Sequence, residues 1–108
     1  MRTTTANVMR LLERQGVTDV PRSLVERYVN LINDTNAEIP AFVLSTLLHA
    51  ARTVVVSPDT PIGKKSLEVI TLIETAYGLV PAPAEEQAEA KEKLREWIEE
   101  ESAPRERE

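Results

Sequence analysis

The chain has 108 residues, enough for one small domain, and it has no cysteine, which excludes disulfides and thiolate metal sites. Apolar residues make up 42% and aromatics only 4%, so Leu, Val, Ile and Ala must fill any core. The net charge of −5 resides in residues 84–108, with ten acidic and five basic side chains, whereas residues 1–83 balance at eight of each. That division predicts a neutral body with a solvated acidic appendage.

Arg2–Asn7 offers several helix caps, because Thr and Asn side chains accept from the unpaired N–H groups of a first turn. Ala6, Val8, Met9, Leu11 and Leu12 follow at mostly helical spacing, and Gly16 is placed to close this first helix. The opening residues are thus already amphipathic. No basic, apolar leader is recognisable in them, and a cytoplasmic protein is expected.

Pro21 starts a second helix that the pattern carries to about Asn33. Leu24, Tyr28 and Leu31 form one stripe and Val25, Val29 and Ile32 a second beside it, with Arg22, Glu26, Arg27 and Asn30 opposite. Asp34–Glu38 is a polar break.

Pro40–Val56 is the stretch around which the rest is organised. It is apolar except for Ser45, Thr46, His49, Arg52 and Thr53, which fall on one narrow helical stripe. A helix of this kind must be buried on most sides. It is too short to span a bilayer, which needs about 20 apolar residues. The β-branched run Thr53–Val56 is stiff in a helix and reads as a frayed end, since no second strand pattern exists to pair with it.

Ser57–Pro61 is a turn with Asp59 or Thr60 as a cap. The fourth helix begins there or at Ser66 and runs to Tyr77. Leu67, Ile70, Ile73 and Tyr77 are expected on its buried ridge, flanked by Val69, Leu72 and Ala76, and Gly78 ends it. Leu79–Ala84 is a proline-restricted spacer. Glu85–Ser102 is rich in strong helix formers, with a thin apolar stripe of Ala90, Leu94, Trp97 and Ile98.

The fold expected is all-α: a small bundle of about four helices in residues 1–80, then in 81–108 a Pro/Ala spacer and an acidic helical tail. The tail stripe of Leu94, Trp97 and Ile98 is too thin to fold alone, so it docks on its own body or binds a partner protein. The wide faces of the second and fourth helices leave Val25, Val29 and Val69 as expected interface residues of a homo-oligomer.

No catalytic motif stands out. His49 lacks a partner histidine and reads as structural or exposed. The tail carboxylates, a solvated charge run, have nothing to separate their pKa values for acid–base work. Gly63-Lys64-Lys65 lacks the upstream glycine and strand of a phosphate loop. A non-enzymatic protein without cofactor or metal is expected.

The order of an apolar helix, Val54–Val56, a Pro-containing turn, then a helix ending in Gly78-Leu79-Val80-Pro81 resembles the C-terminal half of one family of phage terminase small subunits. In that family a tyrosine-bearing helix, with Tyr28 its counterpart here, precedes a Val-rich connector and a helix closing on Gly-Leu-Thr-Pro. The sequence departs from it at Val80, and at Glu85 and Glu86, where basic residues are usual. The resemblance implies an oligomeric DNA-packaging component in the cytoplasm of a bacterial host. It would bind double-stranded DNA and regulate a large catalytic subunit. Arg2, Arg10, Arg14 and Arg22 are the basic residues a ring of copies would gather on one rim for that DNA. The competing expectation is a small helical adaptor with no nucleic-acid role.

Overall fold

The computed structural model describes residues 3–102. Among them lie five helices and no strand: α1 Thr5–Arg14, α2 Arg22–Thr35, α3 Ala41–Val56, α4 Pro61–Ala76 and α5 Ala84–Ser102. The chain is all-α, as its periodicity predicts.

Local chemistry sets most of the boundaries. Thr4 caps α1 by accepting from the Asn7 N–H at 3.2 Å. Gly16 ends it in the left-handed region, which lets the Val17 N–H reach the Leu12 carbonyl at 2.8 Å. Helix α2 runs past Asn33, because Thr35 stays helical, with its hydroxyl donating to the Leu31 carbonyl at 2.8 Å. Asn36 then takes the left-handed φ of 55° that short amide side chains tolerate.

The Thr53–Val56 run does not fray. It stays helical to Val56, and the Ser57 N–H closes the last turn on the Thr53 carbonyl at 2.8 Å. Residues 54–56 are therefore the end of a helix rather than a connector. Thr60 accepts from the Gly63 N–H at 3.0 Å, so α4 begins at Pro61 and not at Ser66.

Helices α1, α2 and α3 pack on one another, α3 packs on α4 and α4 on α5, and a side chain of α2 also reaches α4 through Tyr28 and Glu74. Leu12, Val25, Leu47, Leu48 and Ile73 form the driest part of the core. The tail helix joins this core through Ala90 and Leu94, with Trp97 and Ile98 packed against its edge. Full burial of a leucine side chain contributes about 1.5–3 kcal/mol, so Leu94 alone is a substantial tether.

Two expectations about exposure are corrected. Val25, Val29 and Val69 are all buried within the single chain. The two stripes of α2 turn inward together toward α1 and α3, and α4 is enclosed between α3 and α5, so those edges have no free surface. Leu67, expected on the buried ridge, is 54% exposed. The ridge of α4 runs instead through Ser66, Val69, Ile70, Ile73 and Ala76, and one residue of offset turns Leu67 about 100° away from it.

Candidate functional site

Among the described residues this packing leaves Phe42, Val55, Val56, Ile62 and Leu67 exposed, and of these only Val55 and Val56 are neighbours in the chain. Val55 is 70% exposed and Val56 58%. The α2 N-terminus meets the α3 C-terminus there, so the two helices run antiparallel. Pro21 and Leu24 on one wall and Val55 and Val56 on the other bound an open groove of about 530 Å³.

Charges sit on its rim. Asp19, in the connector before α2, accepts an ion pair from Arg52 of α3 at 3.2 Å. Both side chains are partly solvated, so the pair is worth at most about 1 kcal/mol, and its main effect is to fix where the charges lie. Arg27, further along α2, has its guanidinium 6.0 Å from the ring centroid of Tyr28 and makes no ion pair among the described residues. The rim thus carries an acid at one end of the α2 wall and an unpaired base toward the other.

Behind the groove, Tyr28 locks α2 to α4. Its hydroxyl donates to a Glu74 carboxylate oxygen at 3.1 Å. Burial, reinforced by the Glu74 charge and by the hydrogen bond itself, pushes the Tyr28 pKa up to about 12. The phenol therefore stays protonated and donating through the neutral range.

A second recess follows the α4–α5 seam, where Lys64 and Lys93 flank Leu67 and Leu72 in a trough of about 600 Å³. Lys91 of α5 lies 5.4 Å over the Tyr77 ring. Arg95 pairs with Glu92 one turn back and with Glu99 at 3.0 Å one turn on, bracing the outer face of α5. The Trp97 indole nitrogen is buried and has no acceptor.

The structure does not gather the sequence-predicted residues into one site. Arg10 and Arg14 are exposed one turn apart on α1. Arg22 is exposed at the start of α2, with its guanidinium held by Glu26 at 3.2 Å. Arg2 lies outside the described residues. Leu94 is buried against α4, and Trp97 and Ile98 are half-buried, so the tail stripe is already spent within the chain.

His49 is exposed on α3. Among the described residues, no three His, Asp or Glu side chains converge as a metal site would require. No described helix is long and apolar enough to cross a membrane. Gly63 has a packing role: a Cβ there would fall 1.9 Å from the Ser57 carbonyl oxygen.

Comparison with family models, curated proteins and solved structures gives no match for this chain. The groove residues escaped sequence reasoning, although one signal was present. The valines of 54–56 span three successive helical positions, more of the circumference than neighbouring helices cover at a helix end.

Proposed function

We propose that this chain is a non-enzymatic helical assembly protein that self-associates, after the manner of a phage DNA-packaging small subunit. The observation that carries the reading is the adjacent exposed pair Val55 and Val56 lining the groove between α2 and α3. Contiguous apolar surface of this kind marks interaction sites.

Arg10 and Arg14 support the DNA-binding part. Repeated around an oligomer, two exposed cations per chain would add up to the many phosphate contacts that duplex affinity requires. Arg22 contributes less while Glu26 holds it. A separate catalytic subunit would be met by the charged outer face of α5, since its apolar stripe faces inward.

Light scattering tests the assembly, and titration with duplex DNA at two salt concentrations tests the ligand. A mass of several chains, with DNA affinity falling steeply as salt rises, is the expected result. A monomer across the micromolar range overturns the reading. The charge balance of residues 1–83 favours a second reading, a helical adaptor without nucleic acid. Self-association with no DNA binding even at low salt selects it.

A further inference from the structure

We infer that the groove between α2 and α3 is filled by a second copy of this chain about a two-fold axis, with Arg27 of each copy against Asp19 of the other. The inference rests on the self-association reading and names its interface. Three observations lead to it.

The first is the apolar floor. Val55 and Val56, both exposed, line the groove together with Pro21 and Leu24, so a second copy can lay the same apolar residues against them. A two-fold interface needs that arrangement, because one patch must complement itself.

The second is the order of charge. Asp19 precedes the first residue of α2, and Arg27 lies about 7.5 Å along the helix axis beyond Arg22. Two such walls laid antiparallel bring the acid of each beside the base of the other. A uniformly basic partner would oppose Arg27 and Arg52, whereas Asp19, already paired with Arg52, is half-exposed and can share its carboxylate with a second guanidinium.

The third is the state of each rim group. Arg52 is already engaged with Asp19 at 3.2 Å, while Arg27 makes no ion pair among the described residues. In the two-fold arrangement each Asp19 lies between Arg52 of its own chain and Arg27 of the partner. Complementary rim charges of this kind set register and reject wrong partners.

Charge reversal with complementation tests the inference on the full chain. Arg27→Asp and Asp19→Arg are prepared separately, each at an exposed position, and circular dichroism melts establish that each remains folded. Every self-pair of either variant places like charges together, a juxtaposition that interfaces tolerate poorly, and self-association should weaken at least about tenfold. Mixing the two restores both opposite-charge contacts in the mixed dimer, and the light-scattering mass should recover. Val56→Glu should leave the chain monomeric alone and in either mixture.

A monomeric wild type overturns the self-association reading and this inference together. A wild type that associates regardless of the reversals, or variants that fail to recover on mixing, overturns the inference alone. So does binding of the acidic peptide of residues 84–102 that is lost in Arg27→Asp while wild-type mass ignores both reversals. That outcome assigns the groove to an acidic helix.

Discussion

Gly63→Ala puts a methyl group where the α3–α4 corner has no room for one. The added carbon would lie 1.9 Å from the Ser57 carbonyl oxygen, 3.0 Å from its carbon and 3.2 Å from the Pro58 carbonyl oxygen. None of these atoms can swing aside as a side chain could. The Ser57 carbonyl is also held in place, accepting from the Thr60 hydroxyl at 2.8 Å, and Thr60 in turn caps the Gly63 N–H at 3.0 Å. Relief of the overlap therefore shifts the turn and disturbs the cap of α4.

In an open helix the same substitution would stabilise by about 1 kcal/mol through propensity. Overpacking costs about 1–3 kcal/mol and sometimes more, and a rigid backbone obstacle belongs at the upper end. A net loss of about 2 kcal/mol follows from setting the propensity gain against that cost. For a chain of this size the melting temperature should fall by roughly 8 °C. Urea and thermal melts followed by far-ultraviolet circular dichroism measure it. Gly16→Ala is the control, because its Cβ would meet nothing within 4 Å and only the φ of +78° opposes it, at about 1–2 kcal/mol. If Gly63→Ala melts at or above the wild-type temperature, the close approach of Ser57 to α4 is wrong.

Leu47→Asp should abolish cooperative unfolding altogether, since Leu47 is fully buried on α3 and an unpaired carboxylate there outweighs much of a small domain's stability. Glu100→Ala, on the exposed side of α5, should melt like wild type in the same assay. Tyr28→Phe should lose about 1 kcal/mol with the bond to Glu74. The folded Tyr28 pKa is raised from 10 to about 12, so its stabilising contribution is complete below pH 10 and is lost as pH rises toward 12. Urea melts at pH 9 and pH 11.5 should show that extra alkaline loss in wild type and not in Tyr28→Phe. Trp97→Phe removes a buried donor that has no acceptor, and should cost less than about 1 kcal/mol in a thermal melt.

Much of the fold was legible because helix signals are local. Thr60 as a cap, and Gly16 and Gly78 as terminators, depend only on near neighbours in the chain, as do the periodic stripes of α2 and α3. Misreadings arose where distant residues decide. Periodicity shows that α2 and α4 carry wide apolar faces, but not that α1, α3 and α5 cover Val25, Val29 and Val69 within one chain. Leu67 was misplaced for the same reason: its exposure depends on how far α5 reaches across α4.

The candidate groove was even less visible. It needs Asp19 beside Arg52, and its support needs Tyr28 against Glu74, and neither pairing has any signature in local spacing. Only the surplus of valines at the end of α3 hinted at an exposed apolar edge.

The place of α5 at the outer edge of the bundle lets the chain unzip from one end. Because the backbone of α5 lies close to that of α4 alone and follows a proline-restricted spacer, lifting it away opens mainly the α4–α5 seam. Such a unit opens at its own free energy, below that of global unfolding. The sole tryptophan sits within this unit, so its emission reports the seam while the ellipticity is dominated by the other four helices. Fluorescence should shift to the red at lower denaturant than the loss of ellipticity, and amides of α5 should exchange with solvent before those of α3.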